Sequence, residues 1–303
     1  MRISIALGLL VFSVSGLTRL WAVSHNITTI DVPGPNVFQT YATGINDEGE
    51  IVGFFYQAST DLRTHAFILR HGIFSMYFLS EGGTEFDGLN NRGDMVGLNT
   101  SNAIGTLFHN GQIISTISVP GAQQTFPRGI NNSGQIVGTV DIPSGLESFL
   151  LRGGNYSIFN VGGGANGIND AGDIVGTHGA DGYFLRNGIS STIDFPGAPG
   201  TVLEGINDRG VIVGFYFDAS RPGVTHGLIL NRHGLSNFDV PGSTSTEISG
   251  INNRGDFVGN YLDSAGNVHG FLATPVNRET EDDGAAQSPA VSSSALAAVK
   301  TVQ

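Results

Sequence analysis

The chain has 303 residues, 45 of them glycine and none cysteine, with 14 Lys+Arg against 26 Asp+Glu and a net charge of −12. The glycines keep no three-residue period, so collagen is excluded; without cysteine there is no disulfide framework; and the acidic balance argues against nucleic acid as a partner. Glycine at roughly twice ordinary usage, in a chain still 40% hydrophobic, predicts many short strands and many turns.

The first element is an address. Arg2 gives a positive start, Ile3 to Leu17 is a mostly apolar run, and Ala22-Val23-Ser24 supplies small residues two apart. That layout predicts a secretory signal peptide over 1–24. The run is shorter than the roughly 20 residues that span a bilayer, and Arg19 puts a charge just beyond its end. A secreted or periplasmic chain is therefore expected, with no membrane span after signal removal. Trp21, the single tryptophan, leaves with the signal.

The strand from Ile27 to Gly34 comes next and has no strand of its own type before it. A ten-residue pattern then begins at Gly44 (Gly-Ile-Asn-Asp-Glu-Gly-Glu-Ile-Val-Gly) and returns at Gly88, Gly129, Gly167, Gly205 and Gly250, at spacings of 44, 41, 38, 38 and 45 residues. Apolar residues flank a polar loop, Asn46 can cap the turn through its side chain, and Gly49 can supply the positive φ, so each copy reads as a β-hairpin. Two further strands recur in each unit. One resembles His65-Ala66-Phe67-Ile68-Leu69-Arg70 and ends in a tight turn; the other ends in Pro-Gly or Gly-Gly. Four strands at a period near 40 are the signature of a propeller blade. The last unit lacks a fourth strand and the chain begins with an unpaired one. The expected fold is therefore all-β, a six-bladed β-propeller over 25–275 in which the N-terminal strand completes the last blade. The competing arrangement, an open solenoid, would leave that strand unpaired. Residues 276–303 are rich in Ser, Ala and acid, and are expected to be a disordered tail.

The hairpin motif followed by His65-Ala66-Phe67 resembles the bacterial extracellular HAF-repeat family. The resemblance covers nearly the whole mature domain, although the full triplet stands only at 65–67, with partial copies at His226-Gly227 and His269-Gly270. It implies secretion and a repeat fold, and no particular activity.

Two places could hold a ligand. The hairpin loops and the tight turns are nearly uniform from unit to unit, whereas the loops between the second and third strands, such as 57–64, 141–147 and 218–225, diverge. Function concentrates on loops carried by a scaffold, and Asp61, Arg63, His178, Asp181, Asp218 and Arg221 are the polar members of this face. The second place is the central channel. The residue before each motif glycine is polar (Thr43, Asp87, Arg128, Asn166, Glu204, Ser249), and the one before that is apolar. Period-two alternation would put the polar set on the axis.

These readings predict a secreted binding or interaction module for a protein or carbohydrate on the variable-loop face, with a monomer expected. The alternative is a hydrolase or lyase using Asp87 and Glu204. No cofactor and no metal is expected, since NDEGE and NDAGD lack calcium-loop spacing. The Arg-Gly-Asp tripeptides at 92–94 and 254–256 fall where the turn needs glycine anyway. The recurring histidines at 65, 226 and 269 read as structural hydrogen-bonding groups.

Overall fold

The computed structural model describes residues 24–58, 63–78, 82–100, 103–159 and 163–276, and the backbone of 299–302. The expected signal segment up to residue 23 lies outside the described residues, as do residues 277–298 and 303 of the expected tail. All regular elements among the described residues are strands.

Strands β2 (Val37–Ile45), β3 (Ile51–Gln57), β4 (Thr64–Arg70) and β5 (Ile73–Tyr77) pair antiparallel in that order. The same meander repeats in β6 (Thr84–Leu89), β7 (Asp94–Asn99), β8 (Ile104–His109) and β9 (Gln112–Ile117), and again in β10 (Gln124–Ile130), β11 (Ile136–Ile142), β12 (Gly145–Arg152) and β13 (Asn155–Phe159). It continues in β14 (Gly163–Ile168), β15 (Ile174–His178), β16 (Asp181–Arg186) and β17 (Ile189–Ile193), then in β18 (Thr201–Ile206), β19 (Ile212–Phe217), β20 (Thr225–Asn231) and β21 (Gly234–Phe238). Strands β22 (Ser245–Ile251), β23 (Phe257–Leu262) and β24 (Val268–Pro275) are followed in their sheet by β1 (His25–Ile30), which runs antiparallel to β24 with His25 opposite Pro275 and Ile30 opposite Gly270. The backbone of β25 (Val299–Val302) lies antiparallel against β13. The architecture is a ring of four-stranded blades, as in a β-propeller.

The repeat sequence explains each blade. Asn46 Oδ1 accepts the backbone N–H of Glu48 at 3.1 Å and of Glu50 at 3.0 Å, and Gly49 sits at φ +80°, so the turn closes as its residues require. The tight turns between third and fourth strands hold pairs such as His71-Gly72 and Asn110-Gly111, both residues at positive φ, which suits the twist of a two-residue hairpin.

The core lies between blades rather than in one central mass. Val52, Ala66 and Ile68 of one blade pack against Phe86, Met95 and Phe108 of the next. Ile30, Val32 and Val258 pack against Ala42, Ile51, Phe55 and Phe67, so the first and last parts of the chain share a cluster. The same sides are tied by hydrogen bonds. Each buried motif asparagine donates from Nδ2 to the carbonyl of the motif asparagine in the next blade: Asn46 to Asn90, Asn90 to Asn131, Asn131 to Asn169, Asn169 to Asn207, Asn207 to Asn252, and Asn252 back to Asn46.

A candidate ligand site at the axial channel

The ladder between the first and second strands of every blade skips one residue. The skipped residues are Thr43, Asp87, Arg128, Asn166, Glu204 and Ser249, the polar set expected on the axis. Each is the extra residue of a β-bulge, which re-aims its side chain. The bulge, and not simple alternation, is what presents this set. The following glycine lets neighbouring inner strands touch backbone to backbone. A Cβ on Gly129 would come within 2.8 Å of the Asn166 carbonyl oxygen, and one on Gly167 within 2.8 Å of that of Glu204.

The six are not equivalent. Thr43 Oγ1 donates to the Phe86 carbonyl at 2.7 Å, and Asn166 Nδ2 to the Leu203 carbonyl at 2.9 Å, so these two brace adjacent blades. Ser249 is half-buried. Asp87, Arg128 and Glu204 form an electrostatic group. Arg128 Nη1 donates to Asp87 Oδ1 at 3.2 Å; the arginine side chain is 45% exposed and the aspartate only 5%. Asp87 Oδ2 is buried and has no hydrogen-bond partner among the described residues. Burial raises the Asp87 pKa, and Arg128 offsets only part of this. Burial also lifts Glu204 to about 7, with Arg128 pulling it down and the Glu247 and Asp87 charges pushing it up.

Two residues upstream of the bulges stand further members that the sequence reading missed. Glu85 is raised to about 7 by burial and then by Asp87, against the opposing influence of Arg128 and a hydrogen bond from Thr64. Glu247 accepts from Thr225 Oγ1 at 3.3 Å, and burial raises its pKa. Tyr41 holds the equivalent position in its strand and stacks on Phe54, ring centroids 4.7 Å apart, with Tyr56 edge-on at 6.0 Å. Burial raises both tyrosines; Tyr56 and then Glu247 add to the effect at Tyr41, and Glu85 adds to it at Tyr56. Tyr41 and Tyr56 therefore stand close enough to Glu247 and Glu85 to feel their charge. The available signal was positional, since period two counted back from the bulge reaches Tyr41, Glu85 and Glu247.

The inner strands run from the variable-loop face toward the hairpin turns. Glu85, Glu247 and Tyr41 thus lie nearer the variable loops, while the turn end is closed by the asparagine ring around a pit of about 80 Å³. The Arg-Gly-Asp tripeptides belong to that turn end: Arg92 pairs with Asp94 at 2.8 Å and Arg254 with Asp256 at 3.0 Å.

On the variable-loop face the expected residues scatter. Asp61 lies outside the described residues, and Arg63 is exposed ahead of β4. His178 and Asp181 face each other across one turn. Asp218 and Arg221 do come together, Nε to Oδ2 at 2.7 Å, beside a residue outside the expected set, His226. His226 Nδ1 meets Asp239 at 3.0 Å, and its Nε2 meets Asp218 at 3.3 Å. The ring stacks on Tyr216, which stacks on Phe195 at 3.7 Å. Tyr216, Phe217, Asp218 and His226 border a groove of about 180 Å³. His269 repeats the arrangement between Asp31 at 2.9 Å and Asp263 at 3.3 Å, over Tyr261. Hydrogen bonding by these two histidines agrees with their sequence reading.

No protein-family model and no curated protein sequence matches the chain. Solved structures do resemble it in fold. Virginiamycin B lyase from Staphylococcus aureus superposes with a TM-score of 0.50 at 11% identity, over 84% of this chain and 89% of the other. The luciferin-regenerating enzyme gives 0.52 at 11% identity, over 84% and 96%. A protein of unknown function from Dyadobacter fermentans gives 0.51 at 11% identity, over 82% and 99%. At such identities the likeness is one of fold alone.

Proposed function

We propose that this chain is a secreted six-bladed propeller, closed by its N-terminal strand, that acts as a binding module and holds its ligand on the variable-loop face at the mouth of the axial channel. The closure is supported by the pairing of β1 with β24 and by the circuit of six asparagines that returns from Asn252 to Asn46. The link to the extracellular HAF repeats rests on the hairpin motif and the 65–67 triplet.

One observation carries the functional part. Exposed or half-exposed aromatic rings gather toward the variable-loop end of the blades, where Phe38, Tyr41, Phe54 and Tyr56 adjoin the channel and Tyr216 and Phe217 border the groove. The turn end offers Asn, Asp and Gly held in mutual hydrogen bonds. Aromatic faces give large contact area at small entropic cost and suit either a sugar ring or a peptide. A glycan and secreted-protein array probed with the mature protein tests this. Tyr56→Ala and Phe217→Ala are expected to weaken any captured ligand about tenfold or more, and Glu48→Gln on the turn face to leave it unchanged. Loss on Glu48→Gln with retention in both aromatic variants would place the ligand on the wrong face.

A second reading has its own support. Glu204 and Glu85, raised to about 7, gain and lose a proton near neutral pH, as a general acid requires. In that reading the chain is a hydrolase or lyase, and turnover of a glycoside or ester substrate would vanish in Glu204→Gln. Asp87, one oxygen of which is taken by Arg128, suits the proton-transfer role less well.

A further inference from the structure

We propose that the channel binds its ligand through a protonated amine or guanidinium group, with Glu85, Asp87 and Glu204 as counter-charges and Tyr41 and Tyr56 as the wall for the ligand's apolar stem. This rests on the variable-loop reading and names the ligand's chemistry.

The inner strands carry an imbalance of charge. Glu85 and Asp87 on β6 and Glu204 on β18 set three carboxyl groups about one guanidinium, that of Arg128 on β10, and Glu247 on β22 adds its charge at Glu204. Each perturbs its neighbours: Glu85 feels Asp87 and Arg128, and Glu204 feels Arg128, Glu247 and Asp87. Among the described residues, Asp87 is the one carboxylate in ion-pair contact with Arg128, and through one oxygen. The other, Oδ2, is buried and bare. An anionic oxygen left so is expensive unless something positive or hydrogen-donating reaches it.

A purely structural ring looks different in this same molecule. The motif asparagines at the turn end have their side-chain oxygen and nitrogen bonded; Asn207, for example, accepts from Arg209 N and Val211 N and donates to the Asn252 carbonyl. Among the described residues of the carboxylate ring, Asp87 Oδ2 lacks such completion.

The chain itself shows which group fits there, because Arg128 already lays a guanidinium against Asp87. A divalent ion needs several oxygens converging on one point, and among the described residues no group of three His, Asp or Glu is arranged that way. A neutral sugar would leave the charge uncompensated. The aromatic wall adds cation–π attraction, which favours an organic cation with an apolar stem.

Calorimetric titration of the mature protein with agmatine, which carries an ammonium and a guanidinium, tests the proposal, with calcium chloride and a neutral trisaccharide as comparison probes. Saturable one-to-one binding of agmatine is expected, weakened about tenfold or more by Glu204→Gln and by Asp87→Asn and unchanged by Glu48→Gln on the turn face. Glu204→Gln keeps the side-chain volume, and a melting curve confirms its fold, so the test does not depend on Asp87→Asn remaining folded. Absence of saturable agmatine binding, tighter binding of calcium, equal loss in Glu48→Gln, or full affinity in a folded Glu204→Gln would each overturn the assignment. An array ligand that depends on Tyr56 and Phe217 while agmatine fails to bind would sink the amine chemistry and leave the variable-loop reading standing.

Discussion

Two glycines of each repeat are needed for different reasons, and the difference is measurable. Gly210 sits at φ +74° with open space where a Cβ would go, so alanine there meets only backbone strain. Gly129 has an ordinary φ, but its Cβ would press on the Asn166 carbonyl and on Gly167 Cα at 3.2 Å, atoms of a neighbouring blade that cannot swing aside. Gly210→Ala is expected to cost about 1 kcal/mol, and Gly129→Ala about 2–3 kcal/mol. Chemical denaturation of the two variants checks this; equal costs would mean that the inner strands have slack. The turn glycine and the capping asparagine were legible in the motif, because both act within a few residues of themselves. The bulge before the axial glycine was not. It is set by the approach of the neighbouring blade, and a period-two reading passes over it.

At the scale of the element, the histidine of the third strand links strands distant in sequence. His269 lies between Asp31, which comes just after β1, and Asp263, so it ties the chain's first strand to its last blade. Burial alone would lower the His269 pKa; its hydrogen bonds to the two aspartates and their charges outweigh that, and the net shift is upward. The stabilisation from a raised histidine is fully present below its unfolded pKa of about 6.5 and is lost as pH rises through the folded value. Asp31→Asn should therefore destabilise more at pH near 5.5 than near 8.5. Asp31 is half-exposed, and solvent screening holds the difference to well under 1 kcal/mol. Thermal melts at the two pH values measure it, and a larger loss at the alkaline end would contradict the pairing. The recurrence of His65, His226 and His269 was visible in the sequence. Their partners were not, because Asp31 and His269 stand at opposite ends of the chain and meet only once the ends pair.

Over the whole molecule, six copies of one motif made the ring of blades readable from the sequence alone. Repetition sets the strands, the turns and the apolar faces that seal neighbouring blades. The candidate site is where the copies differ: Asp87, Arg128 and Glu204 occupy positions that hold Thr43 and Asn166 elsewhere. Which of them matter depends on charges from separate blades meeting across an axis, a distance no spacing in the sequence encodes. An inner ring kept for a ligand weakens the free fold, whereas a brace would strengthen it. Glu204, with its carboxyl raised to about 7, ionises less readily in the folded chain than in the unfolded one. Its effect on stability is therefore absent below the unfolded carboxylate range, becomes a growing loss as pH rises from there to about 7, and levels off above that. The most direct measurement is the unfolding free energy of wild type and Glu204→Gln from about pH 4 to about pH 8.5. The variant is expected to match wild type at the acid end and to be more stable at the alkaline end, by on the order of 2 kcal/mol. A variant less stable than wild type at alkaline pH would mean that Glu204 is a brace, and would contradict the account.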